Sequence, residues 1–402
     1  MRNIVKILIF ILLPTQLWSA STWNQKADFG GVARHRASGF AISGKGYIGL
    51  GHINSAGHIV YKDFWEYDPA TNSWTQKADF GGGERYQATS FVIGKIGYLG
   101  AGRSHPLDVY EKDFWAFNPI ANMWFPIADL PGVERRGAVG FSIDGKGYVG
   151  LGQTNDGYAT DFYEYDPETD IWTQKADFIG SGRTSAVSFV HNGKAYVGTG
   201  HEWGAAVKDF YEFTPSSNFW VQKADVGDSL RQDATGFVLN GKGYLGTGNN
   251  VDGSVNYKDF WRYDFETGIW TQIEDFNGVA RRYMVSFVIE NTAYTGTGTN
   301  GTNLKDFWAY DPTLSLSETE LDFKNPYPNP SNSNINFEIP FTLLNQNSTL
   351  TIYNLQGQLV KQISIKINLI QLNNQNFKNG IYLYQITSNK AILKQGKIIF
   401  TE

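Results

Sequence analysis

The stretch Trp74-Thr-Gln-Lys-Ala-Asp-Phe80, continued through Gly97-Tyr-Leu-Gly-Ala-Gly102 to Lys112-Asp-Phe-Trp-Ala-Phe-Asn-Pro119 and closed at Trp124, is the unit from which most of the chain is built. Its anchor tryptophan occurs at Trp23, Trp74, Trp124, Trp172, Trp220 and Trp270, with gaps of 51, 50, 48, 48 and 50 residues. A period of that size means a solenoid, a propeller or an array. Inside each period a Tyr stands two residues before a Gly-x-Gly (Tyr47, Tyr98, Tyr148, Tyr196, Tyr244, Tyr294). A Phe follows an Asp at Phe64, Phe114, Phe162, Phe210, Phe260 and Phe307.

Turn signals divide each unit into four short strands. In the first full unit strand a runs from about Arg36 to Ile42 and ends at Ser43-Gly44; strand b is Gly46 to Gly51. Strand c is Asp63 to Tyr67, closed by Asp68-Pro69-Ala70-Thr71-Asn72, and strand d is Trp74 to Ala78. In strand a each of Phe40, Phe91, Phe141, Phe189, Phe237 and Phe287 is preceded by Gly or Ser. Small residues suit innermost strands converging on an axis, while the ring packs between neighbouring sheets. The fold expected is all-β: a six-bladed β-propeller over residues 21–312, in preference to an array of separate hairpin sheets. The last unit leaves after strand c, at Pro312, and the chain starts with an anchor Trp that lacks strands a to c. Thr22 to Ala27 is therefore expected to supply strand d of the last blade and remove two sheet edges. The Gly pair after strand b and the Tyr-six residues-Trp spacing resemble the kelch repeat over residues 22 to 312, although the family's glycine doublet stands here as Gly-x-Gly.

Beyond a polar, acidic linker at 313–322 the repeat is absent. Residues 323–402 show strands at Leu350-Thr-Ile-Tyr, Gly380-Ile-Tyr-Leu-Tyr-Gln-Ile and Lys397-Ile-Ile-Phe, the content of a small C-terminal β-sandwich. Tyr327-Pro-Asn-Pro330, Tyr353-Asn-Leu-Gln-Gly357, Gly380-Ile-Tyr382 and the basic Lys390, Lys394 and Lys397 are similar to the C-terminal sorting domain of the type IX secretion system of Bacteroidota. That resemblance implies the secretion machinery as a partner, passage through the outer membrane, and release or attachment at the cell surface. A carbohydrate-binding or adhesive sandwich is the alternative.

Composition agrees with export. Arg2 and Lys6 precede the apolar run Ile7 to Leu13, then Pro14 and the small residues Ser19, Ala20 and Ser21, which is the layout of a signal peptide over residues 1–20. No later stretch is apolar enough to be transmembrane. Net charge is −5 over 402 residues, which argues against nucleic acid as a partner. The absence of cysteine removes disulfides, thiolate metal sites and cysteine nucleophiles. No cofactor or metal is expected, because the six histidines lack metal-ligand spacing and nothing resembles a Ser/His/Asp set or a phosphate loop.

In a ring of antiparallel sheets the a–b and c–d turns share one face and the b–c and d–a connections the other. The b–c connections vary, with 11, 10, 8, 8, 10 and 7 residues between Gly-x-Gly and Asp-Phe, and variable loops on a rigid scaffold are where recognition is placed. Arg34, Arg85, Arg135, Arg183, Arg231 and Arg281 sit fifteen residues before each Gly-x-Gly and should ring the mouth of the channel. Their forks suit either a carboxylated or sulfated ligand or the aspartates repeated beside them: Asp28, Asp79, Asp129, Asp177, Asp225 and Asp275, or Asp63, Asp113, Asp161, Asp209, Asp259 and Asp306. Residues that break the repeat are the better binding candidates. His201-Glu202-Trp203 places an off-pattern indole beside polar groups, a platform for a sugar ring; His52, Arg103 and Tyr158 occupy comparable loops.

The leading functional expectation is thus a glycan- or protein-binding module with no catalytic residues. An enzyme is the alternative. The galactose-acting copper oxidase of the kelch class needs a Tyr–Cys crosslink that a chain without Cys cannot make. A reaction like that of the six-kelch sialic-acid mutarotase remains open, with Glu84, Glu134, His35, Arg136 and Asp233 as candidate groups. A structural surface adhesin is the third possibility.

Overall fold

A computed structural model describes residues 22–53, 58–312, 323–340, 343–344, 348–388 and 391–401. The expected signal peptide, the 313–322 linker and Lys390 lie outside them. The chain splits into two compact units: Trp23–Asp311, and a second comprising Pro312–Glu402 with the segment before Trp23. Among the described residues there is no α-helix.

The first unit holds six four-stranded antiparallel sheets in sequence order. In the first, Ser38–Ile42, Lys45–Gly49, Phe64–Asp68 and Ser73–Lys77 follow one another as a meander. In the sixth, Val285–Ile289, Thr292–Gly296 and Phe307–Tyr310 are joined by Trp23–Lys26, with Trp23 opposite Tyr310 and Lys26 opposite Phe307. The innermost strand of each sheet lies beside that of the next, and Val285–Ile289 comes back against Ser38–Ile42.

Aromatic burial holds neighbouring sheets together. A Cβ added at Gly46 would meet the Phe287 ring at 2.2 Å, and at Gly97 the Phe40 ring at 2.3 Å; with Gly147 against Phe91 and Gly243 against Phe189, four of the strand-a phenylalanines occupy the space a glycine vacates in the following sheet, where Ala195 and Ala293 stand in the other two. The anchor tryptophans bridge as well: the indole N–H groups of Trp74, Trp124, Trp172 and Trp220 donate to the carbonyls of Ala27, Ala78, Ala128 and Ala176 in the preceding connection. On the innermost strands Gly and Ser alternate, and Ser90, Ser188 and Ser286 donate to the carbonyls of Gly39, Gly140 and Gly236 one sheet back.

The second unit contains a four-stranded sheet ordered Leu359–Ser364, Ser348–Tyr353, Gly380–Ser388, Ala391–Phe400, and a two-stranded sheet of Asn334–Glu338 and Leu369–Asn373. Ile335, Phe337 and Leu372 from the smaller sheet share one apolar cluster with Leu350, Ile352, Tyr384 and Ile398 from the larger. Three of these six strands, Asn334–Glu338, Leu359–Ser364 and Leu369–Asn373, were not expected from the sequence.

Candidate functional site

The repeated arginines are 2% exposed or less and face the protein, not solvent. Arg281 donates to both carboxylate oxygens of Asp306 at 2.5 and 2.6 Å, to the Thr297 carbonyl at 3.2 Å and to the Val279 carbonyl at 3.0 Å. The same pairing joins Arg34 to Asp63, Arg85 to Asp113, Arg135 to Asp161, Arg183 to Asp209 and Arg231 to Asp259. The expectation that these six bind an external anion is corrected accordingly: the strand-c aspartates already fill their forks, and burial keeps any ligand away. The other aspartate series makes only loose surface pairs, such as Asp79 with Lys62 at 3.9 Å.

The arginine backbone does a second job. Its carbonyl accepts the N–H of the second glycine of the preceding unit, from Gly51 to Arg85 (2.9 Å) onward, and the last bond runs from Gly298 to Arg34 (2.9 Å). Gly298 has φ +95°, and a Cβ there would meet the Arg282 carbonyl at 2.6 Å, so the position requires glycine.

Two residues after each arginine stand Arg36, Gln87, Gly137, Ser185, Asp233 and Tyr283, all with φ between 51° and 61°. Five of their N–H groups donate to the carbonyl of the preceding member: Gln87 to Arg36, Gly137 to Gln87, Ser185 to Gly137, Asp233 to Ser185 and Tyr283 to Asp233, at 2.9–3.3 Å. The backbone is thus the same in six places while the side chain differs in each. The residues one position earlier pair antiparallel with the residue that follows Gly-x-Gly: His35 with His52, Tyr86 with Arg103, Arg136 with Gln153, Thr184 with His201, Gln232 with Asn249 and Arg282 with Thr299.

Members of both series, Arg36, Gln87, Ser185, Asp233 and Tyr283 from the first and Arg136, Gln153, Thr184, His201 and Gln232 from the second, line a cavity of about 290 Å³ on the face of the b–c and d–a connections. Arg36 donates to the Tyr283 hydroxyl (2.6 Å), Arg136 to Gln153 Oε1 (2.7 and 3.1 Å), and Gln87 to Ser185 Oγ (3.3 Å). Asp233 is 6% exposed. Burial pushes its carboxyl above the usual carboxylate range, against the pull of Arg36 and of its hydrogen bonds with Ser185 and Tyr283. Burial and the Asp233 charge likewise raise the Tyr283 phenol. Arg36, Gln87, Ser185, Asp233 and Tyr283 also border the smaller cavity beneath, so they separate the mouth from the axial space lined by small residues.

Of the residues singled out from sequence, Tyr158, His201, Arg136 and Asp233 line this cavity. The Tyr158 hydroxyl lies 3.0 Å from His201 Nδ1. Trp203 caps the His201–Glu202/Ala205–Ala206 hairpin, 77% exposed and edge-on to Tyr158 at 5.4 Å, with half-buried Glu202 beside it. His52 is not brought to His201. It is buried between His35 and Tyr86, whose ring stacks on it at 4.2 Å, and burial, then His35 and Arg36, hold its pKa down at about 2. His35 is held at about 4, chiefly by burial. Arg103 is tied to Asp108 at 2.6 Å, Glu84 to His105 at 3.1 Å and Glu134 to Lys112 at 3.5 Å. Sequence reading missed Arg36, Gln87, Gln153, Ser185, Gln232 and Tyr283. The signal was present, since the two positions after each repeated arginine and the residue after Gly-x-Gly are where the repeat stops agreeing. Among the described residues no group of three His, Asp or Glu is placed to hold a metal ion.

Residues 325–401 match the secretion system C-terminal sorting domain. The chain is therefore a nearly all-β protein carrying a type IX sorting domain, which directs it to the cell surface or the extracellular space. Among solved structures, the one titled "Structure of YjhT", a β-propeller, matches with a TM-score of 0.60 and 18% sequence identity, covering 71% of this chain and 95% of that one. At that identity the likeness concerns the fold alone. No curated protein matches the chain.

Proposed function

We propose that residues 21–312 form a six-bladed kelch-type β-propeller whose last blade is completed by the segment at Trp23. On this reading residues 1–20 are a signal peptide, 313–322 a linker and 323–402 a β-sandwich that engages the type IX machinery of a member of the Bacteroidota. Six four-stranded sheets, their cyclic strand neighbours and the Gly298 to Arg34 hydrogen bond support it. The exported protein acts as a binding module that takes a glycan or protein ligand on its variable-loop face, around the axial cavity, with Tyr158, His201, Glu202 and Trp203 as one wall.

The observation that carries this reading is that the cavity is lined by the positions where the repeat varies, on a backbone that does not. Shape is held by the six Arg–Asp pairs, and the ring of Arg36, Gln87, Ser185, Asp233 and Tyr283 is free to be specific. The test is binding of glycan arrays and of surface proteins to the full chain and to Trp203→Ala and Arg136→Gln. Loss of ligand from both variants with an unchanged urea midpoint supports the assignment; retention by both overturns it.

A second reading has one observation in its favour. Asp233, a buried acid with a raised pKa in a cavity that Arg36 and Arg136 also line, has the properties of a proton donor to a carboxylated sugar, as a sialic-acid mutarotase-like enzyme requires. Proton NMR of anomer exchange decides it: catalysis that disappears in Asp233→Asn establishes the enzyme.

A further inference from the structure

One aromatic side chain stands just outside the axial cavity, exposed yet held in place. Trp203 and Gly204 form the turn between His201–Glu202 and Ala205–Ala206, and the indole is 77% exposed. The neighbouring hairpin pairs Gln153–Thr154 with Gly157–Tyr158. A Cβ added at Gly157 would meet Trp203 Cζ2 at 2.8 Å, and Gly157 has φ +140°, so only glycine leaves room for the indole there. Tyr158 meets the same indole edge-on at 5.4 Å, and its hydroxyl lies 3.0 Å from His201 Nδ1. Two hairpins from adjacent sheets thus fix one ring and leave most of it bare.

The indole adjoins the cavity directly. Tyr158 and His201 line the cavity with Arg136, and Tyr158 pairs across its hairpin with Gln153, which accepts from the Arg136 guanidinium. Tyr158 therefore belongs both to the cavity wall and to the surroundings of Trp203. Elsewhere around the indole the two hairpin tips carry only polar or small residues: Asn155, Asp156, Glu202, Gly204 and Ala205. The carboxylates of Asp156 and Glu202 have no hydrogen-bond or ion-pair partner among the described residues.

A single indole in polar ground does not match a folded protein, because the core of a protein interface needs several apolar side chains together. It matches an amphipathic ring. A pyranose lays its C–H face on an indole and turns its hydroxyls outward, where a free carboxylate accepts them. Two unpaired carboxylates at the same place disfavour an anionic sugar there. The cavity one ring further in holds Arg36, Arg136 and Asp233, charges of both signs, and so suits a different residue of the same chain.

We propose that the loop face binds an oligosaccharide of at least two residues, one in the axial cavity and the next, a neutral pyranose, stacked on Trp203 with its hydroxyls toward Glu202. The proposal rests on the binding-module reading and names its ligand class.

The test offers the full chain an array of sugars one to four residues long, built from glucose, galactose, mannose, N-acetylglucosamine and glucuronic acid. The chain that binds tightest and the methyl glycosides of its component sugars are then titrated by calorimetry. The chain should bind about tenfold or more tighter than any of its components, the size of one stacked ring contact. Trp203→Ala should remove that gain with the urea midpoint unchanged, and leave the affinity for the single sugar held in the cavity as it was. Trp203→Phe should restore part of the gain, and Arg136→Gln should weaken the chain and the single sugar alike. A single sugar that binds as tightly as the chain containing it overturns the proposal. So does Trp203→Ala that spares the chain or weakens chain and single sugar equally, and so does a sugar acid preferred at the outer position. If no sugar binds but surface proteins stripped of their glycans do, the proposal falls and the binding-module reading stands. If neither binds, both fall.

Discussion

Replacing Arg281 by methionine removes four hydrogen bonds from a side chain that is 1% exposed. Asp306 keeps the Trp308 indole N–H at 2.7 Å but loses its cation, and the carbonyls of Thr297 and Val279 lose their donor. Breaking a buried ion pair by deleting one partner costs about 3–5 kcal/mol, because a charge is left in a poor solvent. The Asp306 side chain is 22% exposed, so water recovers part of that; the unpaired carbonyls add to it. Against this, methionine retains contact with the Phe276 ring, over which the guanidinium sits at 5.1 Å. The expected loss is about 3–4 kcal/mol. Arg281→Lys keeps the charge and loses the fork, and should cost about 2 kcal/mol.

The assay is urea unfolding followed by tryptophan fluorescence. Trp308 is the last of the twelve tryptophans, so residues 312–402 contribute nothing to the signal; eleven lie in the first unit, and Trp18 falls in the expected signal peptide. Adding Asp306→Asn to Arg281→Met separates the causes: if the stranded charge is what costs, the double variant recovers about 1–2 kcal/mol over the single one. The reasoning fails if Arg281→Met costs under about 1 kcal/mol, or if the double variant is no more stable than Arg281→Met.

Acid should weaken the first unit through His35 and His52, which are held neutral in the fold while the unfolded chain takes up protons from about pH 6.5 downward. With a folded value near 4, His35 contributes stability that is complete above pH 6.5 and falls by about 3 kcal/mol by pH 4; His35→Asn should flatten the urea midpoint against pH over that window. Gly298→Ala, at φ +95° with a carbonyl 2.6 Å from the new Cβ, should cost at least about 2 kcal/mol. Gly44→Ala, at φ +78° with open space around it, should cost about 1 kcal/mol, and equal losses in the same unfolding assay would refute the clash argument. Deleting residues 22–27 exposes the ladder of Phe307–Tyr310 and should yield concentration-dependent association by light scattering; a monomer of unchanged stability would contradict the role given to Trp23–Lys26.

The strand pattern was legible because most units spell it with the same physics. Asn-Gly, Asp-Gly and Ser-Gly turns, Gly-x-Gly ends and Asp-Pro turns bracket five-residue strands, and the structure follows them within a turn's length. The Arg–Asp pairing was legible only as one of two uses, since spacing could not say which aspartate series lies within reach; strand c proved to, because it runs beside strand b at the carbonyl that the guanidinium also grips. In the C-terminal unit Ile335, Phe337, Ile370 and Leu372 do alternate with polar residues, but within Asn- and Gln-rich text too short to stand out.

The cavity was illegible for the opposite reason to the one that made the sheets easy. A repeat announces itself through residues that recur, and those residues, the buried arginines, glycines and rings, are spent on making one sheet fit the next. The residues that meet a ligand are the ones for which recurrence would be a disadvantage, because six identical side chains around an axis present a symmetrical surface that no asymmetric ligand matches. Arg36, Gln87, Gly137, Ser185, Asp233 and Tyr283 share φ values and a hydrogen-bond pattern and nothing else. Arg36→Ala/Tyr283→Ala tests that division of labour directly. Both side chains border the axial cavity and neither belongs to an Arg–Asp pair, so the pair should be removable with a loss of at most about 2 kcal/mol in urea while ligand binding falls tenfold or more. A loss as large as that of Arg281→Met would mean that the axial residues hold the sheets together too, and that shape and recognition are not separated in this fold.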